Sequence, residues 1–401
     1  MNEPLPNLPS FGVLQVTWCF PPTTGGVESH VADLSEALSR RGQRVVVLTG
    51  EESPVLTEKY TVISCPLLNW NKIRAALFLP ADFATQLSAC VEQVVLRYGI
   101  SIIHVHNLHH FYEAPAAAPA AVIESLAAPA IAIESLRRSL GLRVFHSHHE
   151  TVPELLRENR ENLVYRSWNG NFAVSRHIQK QCEQILGFSP TLRPLGVNTS
   201  VFQAKSECLT SNLTPILLHP ARLVPWKGVD ISVRAVRLLL DQGYEIALIL
   251  TNTQRIADWN SELVAYREKI ICLIDELQLS KHVRFMDVSY SDMPQLYEQS
   301  DIVLYPTIGE EPYGLVPIEA MSCARPIIAS DSGGIRETVA DGVTGYIVPC
   351  GDASSVASRV AKLLDDPTMA RQLGRAGRRH VEENFDAENY VSSLLEDYSA
   401  S

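Results

Sequence analysis

At 401 residues the chain is longer than one hydrophobic core can fill, so two domains are expected. A composition of 46% hydrophobic and 20% charged residues is that of an ordinary globular protein, and no run of 18 or more apolar residues marks a membrane span. The net charge of −11 argues against nucleic acid as a partner.

In chain order, Gly12–Thr17 reads as an apolar strand running into the loop Pro21-Pro22-Thr23-Thr24-Gly25-Gly26, which opens a helix from about Val27 to Arg41. Gly42 ends that helix, and Arg44–Thr49 is the next strand. This β-loop-α-β unit builds a parallel, doubly wound sheet. It recurs with strands at 102–106 and 142–146, and 171–175 closes the first half, followed by a helix through about Leu186. Between Ala114 and Arg138 an Ala-rich segment is interrupted by Pro115, Pro119 and Pro129, which predicts two or three short helices rather than one. A second series of strands runs through 215–219, 245–250, 283–285 and 302–305, and a helix through 315–323. A Pro/Ser/Thr/Asn-rich linker is expected within 189–213, and a helical pattern fills 370–401.

Two loops carry cations and carboxylates. In Ala221-Arg222-Leu223-Val224-Pro225-Trp226-Lys227-Gly228, two cations five residues apart after a strand can converge on one dianion. In Gly309-Glu310-Glu311-Pro312-Tyr313-Gly314-Leu315-Val316-Pro317-Ile318-Glu319, a helix opens directly after a glycine, and such a start suits a phosphate. Glu311 and Glu319, with seven residues between them, accept hydrogen bonds only, which suits sugar hydroxyls. The Gly25-Gly26 pair allows close backbone approach at a helix start. Seven of the twelve histidines fall in 104–110 and 146–149. The eight scattered cysteines, without a C-x-x-C pair, read as reduced core thiols and not as a metal site.

The Glu311-x7-Glu319 element, with Tyr313-Gly314 and the trailing Pro326, Gly333-Gly334 and Glu337, resembles the signature of glycosyltransferase family 4, retaining enzymes of the GT-B fold. The resemblance spans roughly residues 12 to 390. It implies an α/β protein of GT-B architecture, two Rossmann-like doubly wound domains facing an interdomain cleft. The expected divisions are 1–195 for the acceptor, 196–375 for the nucleotide sugar, and a C-terminal helix within 376–401 that crosses back.

It further implies a metal-independent hexosyltransferase acting on a nucleotide-diphosphate sugar, a UDP-sugar before a GDP-sugar. The acceptor is a glycan, lipid-linked or small-molecule hydroxyl. Arg222 and Lys227 would take the diphosphate with the N–H groups of Gly314, Leu315 and Val316. Glu311 would hold the donor sugar, Glu319 the ribose diol, and the Gly25-Gly26 loop would lie against diphosphate and acceptor. On the acceptor side, His106 and Asn107 match an H-x-H-N element, and Ser147, His149 and Glu150 a T-x-H-D element, with Glu for Asp at 150. Which of His146, His148 and His149 is functional stays open at this level. Trp18 and Trp70 are either sugar-stacking or partly buried aromatics.

No cofactor and no metal ion is expected; the chain has no D-x-D, and protein cations replace a divalent ion. The N-terminus lacks the regions of a signal peptide, so a cytoplasmic location is expected, with membrane contact at most peripheral, through Arg40, Arg41 and Arg44. The competing readings are a silent nucleotide-sugar or glycan-binding subunit and a nucleotide-sugar epimerase of the same fold. A dinucleotide oxidoreductase is disfavoured because no G-x-G-x-x-G occurs.

Overall fold

The computed structural model describes residues 10–75, 79–107, 120–157, 163–209, 214–251 and 261–400. The chain forms two compact units, Met1–Pro194 with Glu388–Ser401, and Leu195–Ala387.

The first unit contains β1 (Gly12–Thr17), α1 (Gly26–Arg40), β2 (Arg44–Thr49), β3 (Thr61–Ser64), α2 (Trp70–Ala75), α3 (Phe83–Tyr98), β4 (Ile102–His106), α4 (Ala120–Leu140), β5 (Arg143–His148), β6 (Gly170–Ala173), α5 (Arg176–Gln181) and β7 (Thr191–Leu192). Its strands pair in the order β3-β2-β1-β4-β5-β6-β7, all parallel. Every residue of β1 and β4 is buried, as a parallel sheet with both faces covered requires. Val31, Leu34 and Leu38 form the buried stripe of α1, and Gly42, at φ +79°, turns the chain out of it.

One helix was not foreseen in this form. Residues 120–140 form a single α-helix through Pro129, not two or three short ones, and 114–119 lie outside the described residues. An interior proline costs roughly 3 kcal/mol. Burial of Ala130, Ala132, Ile133 and Leu136 offsets that cost. So does the buried Glu134 carboxylate, which accepts from Arg137, Arg138 and Trp168.

The second unit contains β8 (Ile216–His219), α6 (Val229–Asp241), β9 (Ala247–Thr251), α7 (Ser261–Glu276), β10 (Val283–Met286), α8 (Met293–Gln299), β11 (Ile302–Tyr305), α9 (Leu315–Ser322), β12 (Ile327–Ser330), α10 (Ile335–Thr338), β13 (Gly345–Val348), α11 (Ala353–Asp365) and α12 (Pro367–Asn384). The sheet order is β10-β9-β8-β11-β12-β13, again all parallel. The helical pattern at the C-terminus divides at Phe385-Asp386 into α12 and α13 (Ala387–Ala400). The return to the first unit therefore begins at Glu388, later than 376. A close approach explains the delay: a Cβ on Gly374 would overlap the Ala324 carbonyl and one on Gly377 would press on Met321, so α12 lies tight against the end of α9.

Helix α13 completes the first unit. It buries Tyr390, Val391, Leu394, Leu395 and Tyr398, and it is tied by Arg41–Glu388 at 2.7 Å and Arg193–Asp397 at 2.8 Å. Arg40 also pairs with Glu388, and Arg44 donates to the Tyr98 carbonyl, so the three arginines considered for membrane contact are engaged within the fold. Among the described residues no helix is long and apolar enough to cross a membrane. Leu394→Ala is expected to lower stability by about 2–5 kcal/mol, and Arg41→Ala by about 1 kcal/mol or less because its ion pair is solvated. Denaturant unfolding of the two variants distinguishes them.

Candidate functional site

In each sheet the strand order reverses once, between β1 and β4 in the first unit and between β8 and β11 in the second. Ligands of such sheets bind at the carboxyl ends of the strands beside that reversal. The expected site residues gather there. Gly25-Gly26 follow β1, Asn107 follows β4, Arg222 and Lys227 follow β8, and Glu311 and Gly314 follow β11, while His149 and Glu150 follow β5.

In the second unit the two loops are laced together. A Cβ on Gly228, at φ +67°, would overlap the Pro306 carbonyl, and the Trp226 carbonyl accepts from Thr307 Oγ1, Ile308 N and Gly309 N. This brings Lys227 Nζ to 2.6 Å from Glu311 Oε2 and 2.5 Å from the Tyr305 hydroxyl, which itself donates to Glu311 Oε2 at 2.7 Å. The lysine and glutamate side chains are only 13% and 10% exposed. Burial and the Glu311 charge hold the Tyr305 pKa well above its ordinary value, so this hydroxyl keeps its proton and donates. Two of the three lysine N–H donors are used, which leaves one for a ligand.

The Glu311 backbone is fixed as firmly: its N–H donates to Ser332 Oγ, and its carbonyl accepts from Gly334 N at 2.7 Å. Gly333 sits at φ +49°, where a Cβ would collide with that carbonyl. The glycine pair trailing the signature thus serves to hold the Glu311 loop.

The Arg222 side chain is half-buried and makes no hydrogen bond among the described residues, and its charge acts on Tyr305. Gly314, at φ +97°, starts α9 without a side-chain cap. Because Pro317 has no N–H, the exposed donors of this turn are those of Leu315 and Val316. Glu319, buried in the second turn, accepts from the Tyr297 hydroxyl at 2.8 Å.

In the first unit the histidines separate by the pleat of β5. Ser147 and His149 turn toward β4, whereas His146 and His148 pack on Tyr165, Trp168 and Phe188. His106 Nε2 lies 2.7 Å from Gln15 Oε1, and its Nδ1 lies 2.9 Å from His149 Nε2. An amide oxygen only accepts, so His106 carries its proton on Nε2. Burial keeps the ring neutral by driving its pKa well down, and its Nδ1 must then accept from His149 Nε2–H. His104 bridges Ser147 and the Tyr398 hydroxyl of α13.

Asn107, at φ +53°, holds the corner between these elements: its Oδ1 accepts from His149 N, and its carbonyl from Trp18 Nε1. That bond makes Trp18 a buried support, not a stacking surface. Glu150 is exposed. Leu108, His109 and His110, and the Trp70 side chain, lie outside what the structure describes.

His30 of α1 joins the group, its Nε2 buried and without a hydrogen-bond partner among the described residues. His30, His106 and His149 place ligand-type nitrogens within 4.8 Å of one another. Both His106 nitrogens make hydrogen bonds, to Gln15 and to His149. Sequence reasoning did not single out Gln15, His30, Tyr297 or Tyr305. A polar residue within an all-buried apolar strand was the available signal for Gln15 and Tyr305.

Burial lowers the pKa of His30 to about 4 and of His104 and His219 to about 3. Below the unfolded value of 6.5 the unfolded chain binds protons that the folded chain refuses. Stability is thus fully present above pH 6.5 and falls as the pH drops toward 4, by roughly 3 kcal/mol for His30 alone. Thermal midpoints should decline over this window, less steeply in His30→Gln. Long-range ¹H–¹⁵N spectra should show His149 protonated at Nε2, and Gln15→Leu should release it to a tautomer mixture.

Two family models match the chain, "Glycosyltransferase Family 4" over residues 24–201 and "Glycosyl transferases group 1" over 205–380. The phosphatidyl-myo-inositol mannosyltransferase of Mycobacterium leprae is 24% identical, with 93% of this chain and 92% of that protein covered. The N-acetyl-alpha-D-glucosaminyl L-malate synthase of Bacillus anthracis is also 24% identical, with 93% of each covered. A crystal structure of Anabaena HepE in complex with UDP and glucose superposes with a TM-score of 0.74 at 20% identity, covering 98% of this chain and 100% of that one. The chain therefore belongs to glycosyltransferase family 4 and is a glycosyltransferase with the two-domain GT-B fold.

Proposed function

We propose that the chain is a retaining hexosyltransferase that moves a sugar from a nucleoside-diphosphate donor to a hydroxyl of a glycan, a lipid-linked sugar or a small molecule. The observation that carries this reading is the buried Lys227–Tyr305–Glu311 group beside Arg222 and the uncapped start of α9. The donor diphosphate takes the third N–H of Lys227, the guanidinium of Arg222, and the N–H groups of Gly314, Leu315 and Val316. These groups gain most when the bond to the sugar breaks and charge builds on the leaving phosphate. Glu311 keeps one carboxylate oxygen on Lys227 and Tyr305 and turns the other to the donor sugar hydroxyls. Glu319, steadied by Tyr297, accepts from the ribose diol.

The first unit presents the acceptor, with His149 as the group at the reacting hydroxyl, Glu150 beside it, and His106 and Asn107 setting its place. The Gly25-Gly26 loop meets the diphosphate and the acceptor. Two protein cations offset the diphosphate charge, so transfer runs without an added divalent ion. Among donors a UDP-sugar is tried first, since the HepE complex holds UDP. A GDP-sugar is second.

The test is thermal shift and product formation with UDP-, GDP- and ADP-sugars, with and without EDTA. A nucleotide at 100 times its Kd should stabilise the fold by roughly 2.7 kcal/mol. Arg222→Ala should abolish that shift and lower kcat/KM by about 10²–10³ while leaving the unliganded midpoint in place, since Arg222 supports no other group. Product NMR should show the donor anomeric configuration kept. A folded protein that neither shifts with any nucleotide nor transfers sugar would sink the reading.

A further inference from the structure

The fold brings together two cysteines that stand 25 residues apart in the chain: the Cys65 and Cys90 sulfurs lie 3.4 Å from each other. Cys65 follows β3 directly, its N–H donating to the Thr49 carbonyl, and opens the turn Pro66–Leu68. Cys90 sits on α3 and is half-buried, so a small reagent reaches it first. Neither thiol belongs to the site described above. A disulfide needs its sulfurs about 2.05 Å apart, so the pair must close by only about 1.4 Å, within the reach of side-chain rotation.

We propose that Cys65 and Cys90 form a redox-modification site, a dithiol that a small-molecule disulfide converts to an intramolecular disulfide. The Cys90 thiolate attacks one sulfur of the oxidant, forming a mixed disulfide and expelling one thiolate. Cys65 then loses its proton to solvent and attacks the Cys90 sulfur, expelling the second thiolate. The two protein thiols are oxidised by two electrons and the oxidant is reduced to two thiols. The order follows from the surroundings as well as from access. The hydrogen bond from Cys65 lowers the Cys90 pKa, whereas that bond and burial raise Cys65. The bridge would bind the loop after β3 to α3, at the end of the sheet where Asn69 Nδ2 already donates to the Gly50 carbonyl.

The experiment treats the full chain with oxidised glutathione, then counts thiols after denaturation and maps peptides. Two of the eight thiols should disappear, in a Cys65–Cys90 linked peptide that dithiothreitol restores. Cys65→Ser should stop at a glutathione adduct on Cys90, and Cys90→Ser should give no bridge. The rate of the first step should rise with pH as the Cys90 thiolate fraction grows. Eight intact thiols, adducts confined to the exposed Cys272 and Cys350, or a wild-type adduct on Cys90 that never closes would each overturn the proposal.

Discussion

The second unit is organised around one contact, the ammonium of Lys227 against the carboxylate of Glu311 with the Tyr305 hydroxyl bonded to both. Charges so little exposed to water are tolerated only when paired and hydrogen-bonded, and removing one partner from such a pair typically costs about 3–5 kcal/mol. The requirement reaches outward from there. Lys227 needs the β8 loop pressed on β11, which Gly228 permits. Glu311 needs its backbone clamped by Ser332 and Gly334, which Gly333 permits. Positive-φ glycines at both places give the backbone approaches that a Cβ would block.

The first unit meets the opposite constraint. His30, His104 and His106 are sealed so deeply that protonation is driven far below neutral pH, and each stays a neutral ring. A neutral imidazole has one donor and one acceptor, so fixing one ring fixes the next. Gln15 sets His106, and His106 sets His149. The C-terminal helix belongs to the same network, because Tyr398 caps His104. That is a physical reason for the chain to return to this unit after completing the other.

Much of this was legible in the sequence, for reasons of period and spacing. Strands buried on both faces read as apolar runs, and β1, β4, β8 and β11 stand out that way. The loops after β8 and β11 were legible because cations, carboxylates and glycines cluster in them. What was not legible depends on tertiary neighbours. Helix α4 continues through Pro129 because its burial and the Glu134 ion pairs outweigh a local penalty. Strand β7 has two residues, too few for any pattern. Cys65 and Cys90 carry no sequence sign of their proximity, since the contact joins the loop after β3 to a separate helix.

The His146–His149 run shows where sequence reasoning ends. Alternation along a strand divides it into two pairs, but nothing local says which pair faces which neighbour; β4 decides by placing His104 and His106 on the side of Ser147 and His149. The Lys227–Glu311 pair raises a related question of use. A resting ion pair would oppose a ligand if the ligand had to break it. The geometry avoids that conflict, since Lys227 retains a third donor and Glu311 meets its partners through a single oxygen. A diphosphate and a sugar hydroxyl can each add to the group without dismantling it. The contact that stabilises the loop would then also hold its charges in position for the proposed donor.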